Sequence, residues 1–138
     1  MLGSSMRPTC RPLAQAHGNV KGPTFIALHE LFDKINAAVE HYVDDLAERV
    51  VQLGGTAHGT ARSVAKRSTL LEFPAVTTGH DHAEAVATVL AAFGKLARAG
   101  IDQADSMGDQ DTADLFTEIS PGVDKWLRFV EAHVQVDR

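Results

Sequence analysis

The feature that most restricts this chain is an apolar repeat from about Thr24 to Leu53. Leu28, Phe32, Ile35, Val39, Val43, Leu46, Val50 and Leu53 fall at steps of four and three. That rhythm keeps one side of a helix apolar for its whole length and is incompatible with the two-residue alternation of a half-buried strand. Gly22-Pro23 precedes the segment and Gly54-Gly55 follows it, the first setting a start and the second supplying the left-handed residue that ends a helix. A helix this long needs partners along its apolar face.

Two further segments offer such partners. The spacing predicts a helix over His80–Met107 with Val86, Leu90, Phe93, Leu96 or Ala97, Ile101 and Ala104 turned inward, and Thr78 as its cap. It predicts another over about Asp111–Val136 through Leu115, Ile119, Val123, Trp126 or Leu127, Val130 and Val134, with Asp111 or Thr112 capping it. Pro121-Gly122 should interrupt this last helix, because an interior proline costs about 3 kcal/mol. The connection Thr56–Gly79 is too long for a plain turn, and Thr60–Arg67 within it reads as a short basic helix. An aromatic share of 6% against abundant Ala, Val and Leu suits closely packed helices rather than a β-sandwich. The expected fold is an all-α bundle in one domain. A four-helix bundle needs one more helix, and Pro8 and Pro12 forbid a long regular one near the N-terminus.

Charge and cysteine content narrow the chemistry. Thirteen Lys and Arg against eighteen Asp and Glu leave a net charge of −5, a poor basis for gripping phosphate backbones and a reasonable one for gathering cations. Cys10 is the only cysteine, which excludes an internal disulfide framework and fits a reducing compartment. No apolar run approaches the length of a membrane span, and the first sixteen residues lack the apolar stretch of a secretory signal. The expected location is the cytoplasm, with no membrane partner.

The first helix carries a second pattern. His29 and Asp33 are four apart, as are Asp44 and Glu48, and all four lie in a stripe roughly 100° wide, away from the apolar seam. Imidazole together with carboxylate suits iron, zinc or manganese, whereas calcium and magnesium favour oxygen alone. At a rise of about 1.5 Å per residue, Asp33 and Asp44 stand roughly 16 Å apart and His29 and Glu48 nearly 30 Å, so one chain cannot bring all four to one metal. A symmetry mate of the same helix, crossing antiparallel near Ala37-Ala38, brings His29 and Asp33 of one copy to Asp44 and Glu48 of the other. It does so twice per dimer. Two readings stand: a solvated polar face, or a partner surface. Ile26, Ala37, Ala47 and Val51 on the same stripe favour the second.

At this point a resemblance becomes specific. The run Ala16-His17-Gly18-Asn19-Val20-Lys21-Gly22-Pro23 followed by Phe25 to Asp33, the stretch YVDDLAERVVQLGG over Tyr42–Gly55, and DQDTADLFTEIS and DKWLRFVEAHV near the C-terminus resemble the Dps family of mini-ferritins. The likeness covers about Leu13 to Val134 and implies a ferritin-like four-helix bundle over 13–138, with residues 1–12 as an irregular N-terminal segment. It further implies a hollow dodecamer built from twofold dimers. Carried over, the ligands are His17, His29 and Asp33 from one subunit and Asp44 and Glu48 from its mate. The implied activity is a ferroxidase, oxidising ferrous iron preferentially with hydrogen peroxide and storing the ferric product. The same resemblance suggests an acidic iron-uptake pore at Asp109 and Asp114.

The chain departs from the family in two places. Gly18 stands where the family usually has Trp, and MLGSSMRPTCRP replaces most of the first helix, so that helix reads as truncated. DNA binding, for which the family is named, would rest here on Arg7 and Arg11 in an acidic chain. Two rival readings follow: a DNA-compacting stress protein with incidental metal sites, and a helical oligomer with defunct sites. His80-Asp81-His82 reads as a helix start rather than a metal pair, since alternate residues do not share a helix face.

Overall fold

The computed structural model describes residues 25–56 and 78–135. It contains three α-helices and no strand among the described residues: α1 (Phe25–Gln52), α2 (Gly79–Ser106) and α3 (Gln110–Val134). The N-terminal segment, Cys10, His17 and the proposed helix over Thr60–Arg67 lie outside the described residues.

Local chemistry explains the ends. Gly54 adopts φ +85°, and the Gly54 and Gly55 N–H groups donate back to the Val51 and Val50 carbonyls, the paired hydrogen bonds of a left-handed helix stop. The same device ends α2: Gly108 sits at φ +74°, and the Gly108 and Asp109 N–H groups donate to the carbonyls of Asp105 and Ala104. Thr78 caps α2, its side chain accepting from the Asp81 N–H at 3.1 Å. The cap of α3 is Asp109 rather than Asp111 or Thr112. Asp109 thus closes one helix with its N–H and opens the next with its side chain, leaving Met107, Gly108 and Asp109 to make the whole turn.

That short joint makes α2 and α3 antiparallel neighbours, and the close approaches confirm it: Gly94 lies against Val123 and Asp124, and Gly100 against Phe116. Contacts of α1 with α3 also run in opposite order, Tyr42 at Gly122 and Arg49 at Asp109 and Thr112. It follows that α1 and α2 point the same way.

One core joins the three helices. Leu28, Phe32, Ile35, Val39, Val43 and Leu46 of α1 meet Val86, Leu90, Phe93 and Ala97 of α2 and Phe116, Ile119, Val123 and Val130 of α3. Some positions differ from expectation. Leu53 is 59% exposed because α1 has already ended at Gln52. Leu115 is only partly buried, and its neighbour Phe116 fills the core position instead. Phe116 can do so because Gly100 faces it: a Cβ there would meet the ring at 2.7 Å.

Pro121 does not break α3, which runs unbroken through it. Pro121 and Thr117 are both exposed, so water can satisfy the Thr117 carbonyl that proline leaves without a helical donor. Gly122, next in line, admits the Tyr42 ring, whose hydroxyl a Cβ at that position would overlap. The Pro-Gly pair is therefore a docking point for α1 rather than an interruption.

Candidate metal centre

Because α1 is one uninterrupted helix, the positions of its four candidate ligands follow from its geometry. His29 is half-buried, and Asp33, Asp44 and Glu48 are exposed. His29 and Asp33 are one turn apart near one end, and Asp44 and Glu48 one turn apart near the other. The eleven helical steps from Asp33 to Asp44 span roughly 16 Å, so a single chain presents two candidate half-sets rather than one set. The same face keeps Ile26 63% exposed and Val51 57% exposed, with Ala37 exposed near the midpoint. Exposed apolar side chains at both ends of the polar stripe suit a surface that a partner covers.

The acidic residues around the α2–α3 turn divide by environment. Asp114 is exposed and accepts a 2.8 Å hydrogen bond from Gln110 on its own helix. Asp109 is engaged more fully. Its carboxylate accepts from the Thr112 hydroxyl at 2.5 Å, from the Thr112 N–H at 3.1 Å and from Arg49 at 3.0 Å. The Thr112 hydroxyl, then the Thr112 N–H and the Arg49 guanidinium, hold the Asp109 carboxyl below its ordinary value of 3.8. A carboxylate so engaged attracts a passing cation less than a free one does.

Arg49 has no counterpart among the residues picked out from the sequence. In sequence it is only a basic residue in the last turn of α1, favourable to the helix dipole. Its partners stand 60 and 63 positions away, beyond the reach of any local pattern.

A second cluster lies at the start of α2. Ligand atoms of His80, Asp81 and Glu84 fall within 4.8 Å of one another. His82, by contrast, is 1% exposed, so the HDH triplet splits between core and surface as alternate residues on a helix must. The His80 cluster sits where the positive end of the helix dipole disfavours a cation, and where Asp81 already serves the helix start.

Among the described residues no helix is long and apolar enough to cross a membrane. A model of the ferritin-like domain matches residues 13–138. The chain is 45% identical over 122 residues to the DNA protection during starvation protein of Agrobacterium fabrum, spanning 88% of this chain and 75% of that one. It is 33% identical to the protein of the same name from Brevibacillus brevis, over 86% of this chain and 80% of the relative. Among solved structures, Dps from Microbacterium arborescens in the high iron form superposes with a TM-score of 0.88 at 34% identity, covering 96% and 87% of the two chains. Dps from Staphylococcus aureus gives 0.90 at 25% identity, covering 99% and 91%.

Proposed function

The chain belongs to the Dps family of ferritin-like proteins, and on that footing we propose that it is a mini-ferritin that oxidises ferrous iron at sites shared between subunits and stores the ferric product. The observation that carries this reading is the exposed face of α1, where two half-sets of ligands are flanked by exposed Ile26 and Val51. An antiparallel second copy covers the apolar residues and completes both sets at once. His17 belongs with His29 and Asp33 in this reading, and Asp44 and Glu48 come from the other copy. The twofold dimers assemble further into a dodecamer.

The donor set suits the chemistry. Iron is substrate here, entering as Fe(II). Carboxylates favour the Fe(III) product, and neutral imidazoles complete the coordination without excess negative charge. Two ferrous ions give one electron each to hydrogen peroxide, whose O–O bond breaks to two hydroxide ions. Consumption of peroxide and ferrous iron together protects the cell from oxidative damage. The relatives' name speaks of DNA protection, but a net charge of −5 disfavours direct phosphate contact, so protection here is chemical. A cytoplasmic location follows from the same reading.

The test is the mass of the assembly in solution, with and without ferrous iron. A dodecamer is expected. A monomer would end this reading, since half of every site comes from another chain.

Asp109 and Asp114 are the proposed iron-uptake residues. Replacing both by Asn should slow iron loading of intact shells several-fold while leaving oxidation in opened shells unchanged. Most of the effect should come from Asp114→Asn, because Asp109 is already held by Arg49 and Thr112. Unchanged loading would remove the uptake role.

A further inference from the structure

The last turn of α1 bears Glu48, one of the proposed ligands, yet it has little apolar anchorage. Leu46 and Ala47 are the last buried residues of the helix; Val50 is half-buried, and Val51 and Leu53 are exposed. What ties this end down is Arg49. Its Nε donates to Thr112 Oγ1 at 2.9 Å, its Nη2 to Asp109 Oδ1 at 3.0 Å and its Nη1 to Gln52 Oε1 at 3.2 Å. The distant partners are themselves held. The Asp109 N–H donates to the Ala104 carbonyl at 2.9 Å, its carbonyl accepts from Ala113 at 3.0 Å, and its carboxylate is bound twice by Thr112. The guanidinium is planar and its donors point in fixed directions, so bonds to two separate anchors fix both the height of α1 and its roll.

We infer that Arg49 is a positioning residue of the shared site, clamping the end of α1 to the α2–α3 joint so that Asp44 and Glu48 stand where a second copy's His29 and Asp33 can meet them. The inference rests on the proposed ferroxidase reading. Its physical basis is tolerance. Metal–ligand distances hold to about 0.2 Å, and a side chain about 5 Å from a helix axis moves that far when the helix rolls by about 2°. The two halves of the site share no backbone, so each chain must hold its own half in place. Apolar packing does this through most of α1. At Glu48 the polar clamp takes over.

Cobalt(II) titration of the assembled protein, read by its visible absorption, tests this without turnover. The Asp44→Ala/Glu48→Ala variant should lose the signal. Arg49→Ala should assemble to the same mass but bind cobalt about 10- to 100-fold more weakly, the scale seen when residues that orient metal ligands are removed, with a shifted spectrum. Arg49→Lys keeps the charge but loses the Nε bond to Thr112, and should fall between. Wild-type affinity and spectrum in Arg49→Ala, alongside signal loss in the double variant, would overturn the positioning role alone. A double variant that titrates like wild type would overturn the ligand assignment and this inference with it. Should Arg49→Ala fail to assemble, Arg49→Lys is read in its place: intermediate affinity supports the role, wild-type affinity overturns it.

Discussion

Replacing Asp44 and Glu48 together by alanine should lower peroxide-dependent loss of ferrous iron by at least about 100-fold, since ligands themselves are removed rather than the groups that orient them. The variant should remain folded. Both side chains are exposed, and surface substitutions of this kind change stability by about 0.5 kcal/mol or less. Rates equal to wild type would sink the catalytic reading and leave the helical oligomer with defunct sites. A sharper form uses complementation. A His29→Ala/Asp33→Ala variant should be equally inactive, because it lacks the other half-set. Unfolded together and reassembled, the two variants should recover about one quarter of wild-type activity. Half of randomly paired twofold dimers are mixed, and each mixed dimer has one intact site of two. A site built within one chain would show no such recovery.

Phe116→Ala should be the most damaging core substitution among those the structure singles out. The ring is 1% exposed and lies against Gly100, with no side chain there to collapse into the space it leaves. Removing a buried phenylalanine costs about 3–5 kcal/mol, the upper part of that range applying where neighbours cannot relax. Thermal unfolding should fall by about 10 °C or more. A fall of only a degree or two would show that the α2–α3 contact is less tightly packed than described. In the Phe116→Ala background, Gly100→Ala should be close to neutral, since the methyl group then enters vacated space instead of the ring.

Much of this architecture is written locally. The steps of three and four along α1 placed Leu28 through Leu46 on the buried face, and the structure keeps all six there. Thr78 and Gly54 mark helix ends because their effects depend on residues only a few positions away. The misjudged positions share a cause. Phe116 and Leu115 are adjacent and equally apolar, and only Gly100, on another helix, selects the larger ring for the core. Pro121 reads as a breaker from its own chemistry, yet it lies on the exposed side of α3, where water can satisfy the carbonyl it leaves, and the helix runs on through it. Asp109 reads as one carboxylate among Asp102, Asp105, Asp109, Asp111, Asp114 and Glu118 around a turn until Arg49 and Thr112 are seen on it.

The stripe of His29, Asp33, Asp44 and Glu48 needed nothing beyond helical periodicity, and neither did the conclusion that no single chain could close it around one ion. Rise and turn per residue are properties of the backbone, so sequence by itself set which of these four residues pair at each end of α1 and the distance between the pairs, whereas His17 came only from the family resemblance. Where the end of α1 stands depends on contacts across 60 and more positions, from Arg49 to Asp109 and Thr112. No local pattern encodes such contacts, because they exist only once α2 and α3 have folded back to present them. The tertiary structure alone decided that.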